Sequence, residues 1–280
     1  MGGGLGPHDL VLCAGTLPRA SFGERVRAAV AGGFRGISLW TRHYERERAT
    51  GATDADMRAM LADHGLVVSE IEALSDVLGT PGTSSGPGDR EVTCYRIADG
   101  LGARSLSIAE GPGAPGATAP LADDFAAICD RAAAHGLLVH VEFWPGSRVD
   151  LATAIAVVRE AARPNGGVLA DSWHMARGPG SADVLRRATD VPILAVQMSD
   201  GTLAPSGGDY VQETMRRRRL PGEGEFDLRS FVRLVDERGS RAPIGVEVLS
   251  DALATLAPEE VGRRAGAAAR AVIGRAREER

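Results

Sequence analysis

The 280-residue chain contains no lysine, so all 32 residues of its lysine-plus-arginine total are arginine. A lysine amine is needed for Schiff-base catalysis, for lysine general bases and for phosphate binding by a P-loop. The sequence therefore excludes class I aldolases and enzymes that depend on pyridoxal phosphate.

Cysteine is also scarce, with three residues at widely separated positions. Cys13 and Cys129 lie in apolar patterns, and Cys94 is far from both. This distribution suits small buried side chains better than a disulfide framework or a zinc cluster. We expect no disulfide framework.

Long hydrophobic runs are absent as well, since none approaches the roughly 20 residues that cross a bilayer. The first residues, MGGGLGPHDL, lack the basic segment and apolar stretch of a signal peptide. The net charge of −5 argues against general nucleic-acid binding, although residues 216–219 are four consecutive arginines. We expect a cytoplasmic protein that binds neither membrane nor nucleic acid.

Short apolar runs alternate with amphipathic helical patterns along the whole chain. The segments LADHGLVV and AAAHGLLV each end a helix at His-Gly before the next strand, where glycine supplies a left-handed C-cap. Eight such units predict a single-domain (β/α)8 TIM barrel over residues 1–280, with a doubly wound open sheet as the alternative. The predicted strands are 9–15, 36–41, 66–73, 105–110, 137–143, 167–171, 193–198 and 243–249.

Three segments fall outside this alternation. Residues 1–7 are expected to form a flexible N-terminus. Residues 78–89 and 200–225 are long loops after the third and seventh strands, on the barrel face where active sites are built. The first loop is rich in Gly, Pro and Ser and is expected to be mobile, and the second carries the arginine run and the sequence RLPGEGEFD.

Four oxygen-bearing side chains stand at the C-terminal ends of the last four strands. Glu142, Asp171, Gln197 and Glu247 follow the runs LLVHV, GGVLA, ILAV and APIGV. A single strand-end glutamate is most often solvated, but parallel strands bring these four to one rim, where three carboxylates repel unless a cation lies between them. We predict a divalent metal site, and its all-oxygen ligands favour Mn²⁺ or Mg²⁺, with Co²⁺ able to substitute.

The segments VEFWP, DSWH, QMSD, RRLPGEGEFD and GVEVLS resemble those of xylose isomerase-like TIM barrels, the sugar phosphate isomerase/epimerase superfamily. The resemblance implies that Glu142, Asp171, Gln197 and Glu247 bind the metal, that the two glutamates form an acid/base pair, and that His174 contacts substrate. It also implies a homodimer or homotetramer. Many members have histidine in place of Gln197. Glutamine is common in hydroxypyruvate isomerase-like and dehydroshikimate dehydratase-like branches, so this position leaves the activity open.

The related endonuclease IV-type enzymes need many imidazoles for a three-zinc site. This chain has six histidines. His64 and His135 stand at helix ends and His140 in mid-strand, so too few are left for such a site.

Other polar and aromatic residues on the same rim are candidate substrate contacts. Trp144 and Trp173 flank the ligands and are expected to wall the pocket, with ordinary packing as the alternative. Asp200 is expected to bind substrate or to orient Gln197.

Glu72 and Glu110 end the third and fourth strands on that rim and are further candidates, and His43 after the second strand is a weaker one. The resemblance selects Arg219, before LPGEG, to grip a substrate carboxylate or phosphate, the alternative being a solvated patch.

Three hypotheses follow for a carbohydrate-like substrate. The first is an isomerase or epimerase of a keto-sugar, keto-polyol or similar hydroxy-carbonyl compound, in which Glu142 and Glu247 move protons through a metal-stabilised cis-enediolate. The second is a lyase that uses the same chemistry, either a dehydratase of dehydroshikimate or keto-inositol type or a 3-keto-glycoside eliminase, with His174 as the acid. The third is a non-catalytic metal-containing binding subunit, against which the complete ligand set argues.

Overall fold

Eight parallel strands close into a barrel in the order of the sequence, which confirms the predicted (β/α)8 fold. The computed structural model describes residues 4–114, 116–178, 180–205 and 207–278. The strands are β1 (Leu10–Leu12), β2 (Gly36–Trp40), β3 (Val67–Leu74), β4 (Ser105–Ala109), β5 (Leu138–Glu142), β6 (Gly166–Asp171), β7 (Ile193–Met198) and β8 (Ile244–Val246). Pairing of β1 with β8 completes the ring.

The first and last strands are shorter than the sequence predicts. After Leu12 the chain turns into a 3₁₀ segment at Ala14–Thr16, so the predicted 9–15 shortens to three residues. The Thr16 hydroxyl donates to the carbonyl of Val246 at 2.8 Å and accepts from the Val248 amide at 2.8 Å. These side-chain bonds replace strand pairing at the rim and position the segment that carries Glu247.

Helices cover the outside of the barrel. They are α1 (Phe22–Ala31), α2 (Thr41–Ala49), α3 (Asp54–Asp63), α4 (Asp89–Leu101), α5 (Thr118–Ala133), α6 (Leu151–Ala161), α7 (Ser172–Arg177), α8 (Ser181–Arg187), α9 (Tyr210–Arg216), α10 (Leu228–Glu237) and α11 (Pro258–Glu278). Capping boxes begin α1 and α3, at Ser21 with Glu24 and at Thr53 with Asp56. None of the helices in the described ranges is both long and apolar enough to cross a membrane.

The C-terminal helix α11 packs closely against α1 and closes the helical layer. A Cβ atom on Gly262 would lie 2.0 Å from the carbonyl oxygen of Ala28, and one on Gly266 would lie 2.1 Å from that of Gly32. Only glycine permits this approach of the two backbones. At the other end of the chain, Pro7 accepts a bond from Arg277 of α11, while residues 1–3 lie outside the described residues.

Both long loops lie on the C-terminal face of the barrel, and both are tied to it. In the loop after β3, the Leu78 amide donates to Glu110 at 2.9 Å and the Gly79 amide donates to Asp124 at 2.8 Å. The segment 200–225, interpreted from the sequence as a loop, contains helix α9. These tethers place both segments over the rim that carries the candidate site.

Candidate active site

The structure brings the four strand-end residues to one rim. Glu142 and Asp171 end β5 and β6, Gln197 lies in β7 opposite Asp171 in the pairing register, and Glu247 comes directly after β8. Glu142 and Glu247 line a cavity of about 410 Å³. Asp171 and Gln197 are buried.

Two observations fit a divalent cation at this rim. The Oε1 atom of Gln197 is buried and has no hydrogen-bond partner among the described residues. Glu142, Asp171 and His174 each offer one ligand atom, and these atoms lie within 4.8 Å of one another. A buried amide oxygen without a donor is costly unless a cation or water approaches it. The geometry adds an imidazole to the all-oxygen set expected from the sequence.

Arg218 supplies a buried positive charge between two of the carboxylates. Its Nη1 atom lies 2.8 Å from Asp171 Oδ2 and 3.1 Å from Glu247 Oε2. Burial raises the pKa of the Glu247 carboxyl well above its ordinary value, and the neighbouring guanidinium of Arg218 opposes that rise. The guanidinium of Arg218 therefore offsets part of the repulsion among these carboxylates. The sequence analysis expected a metal ion alone to do so.

Arg219, which the sequence analysis selected to bind a substrate carboxylate or phosphate, points away from the cavity. This corrects that expectation. Its guanidinium is exposed and donates to the carbonyl of Glu223 at 3.2 Å. The backbone of Arg219 pairs with Asp200 in an isolated antiparallel bridge. Because successive side chains of an extended segment point to opposite sides, this bridge turns Arg218 inward and Arg219 outward.

His174 joins the carboxylate rim to the loop after β7. Its Nε2 atom lies 3.2 Å from Glu142 Oε1 and 3.4 Å from Asp171 Oδ2. Its Nδ1 atom lies 2.6 Å from the hydroxyl of Tyr210. The imidazole lines the cavity, so it is placed to exchange a proton with a ligand bound there.

Two further predicted residues lie where the sequence indicated. Trp144 lines the cavity, and its indole N–H donates to the carbonyl of Glu110 at 2.9 Å. Glu72 lines the same cavity and accepts from the Trp40 indole at 3.0 Å and from the Ser38 hydroxyl. Burial raises the pKa of Glu72 to about 7, although both bonds to its carboxylate oppose that rise.

Trp173 and Asp200 are turned away from the cavity. Trp173 is completely buried, packs edge-on against Phe226 and donates to Thr214 at 2.9 Å. Asp200 accepts from the amides of Gly222 and Phe226 at 2.9 and 3.0 Å. Asp200 therefore secures the segment PGEGEF instead of facing a substrate.

Glu110 and His43 likewise hold neighbouring loops. Glu110 accepts from two amides of the loop after β3 and pairs with Arg148. His43 is buried against Arg25 and bonds to the carbonyl of Pro18 at 3.1 Å. Burial, helped by the charge of Arg25, lowers the pKa of His43 to about 3. Both side chains therefore hold neighbouring loops in place, and neither lines the cavity.

Among the aromatic and charged residues that line the cavity, sequence reasoning missed three: Trp40, Tyr210 and Arg218. Trp40 ends β2 on the same rim, so the rule that selected the glutamates also applies to it. Arg218 is one of four consecutive arginines, and nothing in the sequence distinguishes it from its neighbours. Tyr210 carries no periodic or motif signal in its surroundings, GGDYVQET.

Comparison with known proteins places these observations in a family. The model of a family described as xylose isomerase-like TIM barrel matches residues 26–271. The chain is 29% identical over 252 residues to a 3-dehydroshikimate dehydratase of Pseudomonas aeruginosa, covering 86% of this chain and 37% of that protein. The chain thus spans well under half the length of this curated relative.

Solved structures share the fold. One is the IolI protein with a bound zinc atom, with a TM-score of 0.83 and 18% identity, covering 95% of this chain and 98% of that one. Another is the probable 3-DHS dehydratase AsbF from Bacillus anthracis, with a TM-score of 0.67 and 18% identity, covering 90% and 97%. At these identities the likeness concerns the fold alone.

Proposed function

The chain belongs to the xylose isomerase-like TIM-barrel family, and within that family we propose that it is a divalent-metal-dependent carbon–oxygen lyase. Its substrate would be a cyclic β-hydroxy ketone of the 3-dehydroshikimate type, which loses water. The observation that carries the proposal is the sequence similarity to a 3-dehydroshikimate dehydratase over 86% of this chain. The comparison favours this lyase over the isomerase or epimerase that we expected first.

The metal would be held by Glu142, Asp171, Gln197 and Glu247, and His174 beside them would be left to transfer a proton. The unpartnered Oε1 atom of Gln197, the convergence of Glu142 with Asp171, and the shared contact of Asp171 and Glu247 with Arg218 support this ligand set. When bound, the ion polarises the substrate carbonyl and a neighbouring hydroxyl and so acidifies the C–H bond between them.

Two residues on different parts of the rim, Glu247 and His174, would each carry out one proton transfer. Glu247, after β8, would take the proton from the carbon that lies between the carbonyl and the hydroxyl-bearing leaving position. The electron pair of that C–H bond forms a carbon–carbon double bond as the adjacent C–O bond breaks. His174, near β5 and β6, would give its proton to the departing oxygen, which leaves as water.

The position of His174 is the geometric support for elimination. Its Nε2 atom lies 3.2 Å from Glu142 Oε1 in the same cavity as Glu247. Because Glu142 is hydrogen-bonded to His174, it is not the free carboxylic acid that an epimerase would need to return a proton to carbon. In a dehydration, two residues of this chain would then carry out both proton transfers: Glu247 gains a proton and His174 loses one.

The test is to incubate the Mn²⁺-loaded protein in D₂O with 3-dehydroshikimate and, separately, with keto-sugars, and to follow the products by NMR. We expect 3-dehydroshikimate to lose water and to appear as the aromatic product once the resulting dienone has tautomerised. Deuterium in a recovered isomer of a keto-sugar would instead support the isomerase or epimerase. No reaction or exchange with any of these compounds would contradict the proposal and favour a binding subunit.

A matched pair of variants tests the assignment of the base. Glu247→Gln keeps the size of the side chain and removes its basicity, so we expect turnover to fall at least a hundredfold. Glu160→Gln, on the exposed outer side of α6, should leave turnover unchanged. Full turnover by a metal-loaded Glu247→Gln protein would overturn the role given to Glu247.

A further inference from the structure

The 3₁₀ segment Ala14–Thr16, which follows β1, packs directly against the side chain of Glu247. A Cβ atom on Gly15 would lie 2.8 Å from Glu247 Oε1 and 3.1 Å from Glu247 Cγ. It would also lie 3.1 Å from Cγ of Leu249. These separations are well inside van der Waals contact, so any side chain larger than that of glycine would displace a neighbour.

The backbone of Gly15 does not itself require glycine. The residue lies in the middle of the 3₁₀ segment and is not among the glycines with a left-handed φ. Alanine can adopt the same backbone conformation without strain. The missing side chain, and not conformational freedom, is therefore the property of glycine that matters at this position.

The 3₁₀ segment is held from two directions and has little freedom to move away. The Ala14 amide donates to the hydroxyl oxygen of Ser38 at 2.7 Å. Arg25 of α1 is completely buried and donates to the carbonyls of Ala14 at 3.3 Å and Leu17 at 2.9 Å. A methyl group added within the segment would therefore not be relieved by a shift of its backbone.

Thr16 fastens the same segment to the backbone on both sides of Glu247. Its hydroxyl donates to the carbonyl of Val246 and accepts from the amide of Val248, both at 2.8 Å. The backbone around Glu247 is thereby fixed as well. The part that can move is the carboxylate, because it is the far end of a flexible side chain.

We propose that Gly15 and Thr16 are positioning residues for Glu247. Thr16 fixes the backbone on both sides of that residue, and the missing side chain of Gly15 leaves the space that its carboxylate occupies. A methyl group on Gly15 would have to move Oε1 by roughly half an ångström to restore ordinary contact. Groups of a metal or catalytic site must be held within about 0.5 Å of their productive positions, so a shift of this size impairs the site.

The Gly15→Ala variant adds only this methyl group. Gly88→Ala is the matched control, because Gly88 has an ordinary φ of −79° and a Cβ atom there would meet nothing within 4 Å. Calorimetry measures the affinity for Mn²⁺, and urea unfolding in a chelator measures stability. We expect Gly15→Ala to bind Mn²⁺ at least tenfold more weakly than the wild type and the control. Its urea midpoint should stay within about 0.3 M of theirs.

Two results with Gly15→Ala would overturn the inference. One is an unchanged affinity for Mn²⁺. The other is a large fall in the urea midpoint, because it would show that the segment gives way and not the carboxylate.

Thr16 supplies an independent check with a pair of variants. Thr16→Val removes both hydrogen bonds beside Glu247 and should weaken Mn²⁺ binding at least tenfold. Thr16→Ser keeps the hydroxyl and should stay within about twofold of the wild type. Equal affinities of the two variants would refute the role given to the hydroxyl.

The role of Glu247 as the base rests on the proposed function, and kinetics test that part. If the wild type dehydrates 3-dehydroshikimate, Gly15→Ala at saturating Mn²⁺ should lower kcat at least tenfold, since the group that takes the proton is displaced. KM should stay within about twofold, because Gly15 is not among the described residues that line the cavity. An unchanged kcat would refute the positioning of the base. An inactive wild type would contradict the proposed function alone, and the Mn²⁺ affinities would still decide this inference.

Discussion

Replacing Arg218 by methionine should destabilise the protein strongly when no divalent cation is present. The guanidinium is 2% exposed and lies 2.8 Å from Asp171 and 3.1 Å from Glu247. Methionine fills similar space but leaves both buried carboxylates without this cation. Removal of one partner from a buried ion pair costs about 3–5 kcal/mol, so we expect the free energy of unfolding in a chelator to fall by that amount.

Added metal should recover part of this loss, because the variant site is more negative by one charge. If its affinity for Mn²⁺ rises tenfold, a concentration of 100 times the wild-type Kd stabilises the wild type by about 2.7 kcal/mol and the variant by about 4.1 kcal/mol. The difference in stability between the two proteins should therefore shrink by about 1.4 kcal/mol on going from chelator to metal.

Urea unfolding followed by circular dichroism, with chelator and with Mn²⁺, measures these four free energies. Arg217→Met is the control, since Arg217 is the exposed neighbour in the same arginine run and should cost under about 0.5 kcal/mol. Two results would refute the reasoning. One is an Arg218→Met protein within about 1 kcal/mol of the wild type in chelator, and the other is a stability difference that metal does not reduce.

Three further outcomes are expected. The folded-state pKa of Glu72 is raised to about 7, so the wild type loses stability as pH rises from the ordinary value of this carboxyl through 7. Glu72→Gln, in chelator, should therefore gain about 2 kcal/mol on the wild type from pH 5 to pH 8 in urea titrations. Gln197→Ala should weaken Mn²⁺ binding at least tenfold by calorimetry, about 1.4 kcal/mol, whereas the exposed Gln212→Ala should not; equal affinities would remove Gln197 from the ligand set. Arg42 stacks 3.6 Å above the ring of Trp40 and lines, with Trp40 and Glu72, a pocket beside the cavity, which makes it our candidate to bind the substrate carboxylate. Arg42→Met should therefore raise KM for 3-dehydroshikimate about tenfold, and an unchanged KM would contradict a carboxylate contact.

The barrel and its ligand rim were predictable because they depend on local periodicity. Each strand is a short apolar run followed by a helical pattern, and all parallel strands end on the same face of a closed barrel. Glu142, Asp171, Gln197 and Glu247 therefore had to meet on that face once the eight strands were recognised. The same rule holds for Trp40, which the sequence analysis left out.

The direction of each rim side chain was less predictable. Glu72 and Glu110 both stand at strand ends, yet Glu72 faces the cavity while Glu110 accepts bonds from loop amides. A strand-end position determines the face of the barrel, but the loop conformation determines whether a carboxylate meets substrate or backbone. Asp200 follows the same pattern, because the amides of the PGEGEF segment occupy its oxygens.

Loop residues were the hardest to predict, because their positions depend on contacts distant in sequence. Arg218 rather than Arg219 turns inward because of the bridge between Asp200 and Arg219. Tyr210 reaches His174 because Glu213 pairs with Arg177 and Thr214 with Trp173. Neither arrangement leaves a periodic signal in the sequence.

The same rim can serve both isomerisation and elimination, so the two activities differ in where the second proton comes from. An epimerase returns a proton to carbon, and for this it needs a second free carboxylic acid across the substrate from Glu247. In this structure Glu142 is hydrogen-bonded to His174, which Tyr210 holds in turn. The second proton of the proposed dehydration is thus held on the imidazole of His174. When the ring carries a hydrogen on both nitrogens, an oxygen leaving group can accept the Nε2 proton and depart as water, and the ring becomes neutral. The hydrogen bonds around His174 therefore support the proposed dehydration.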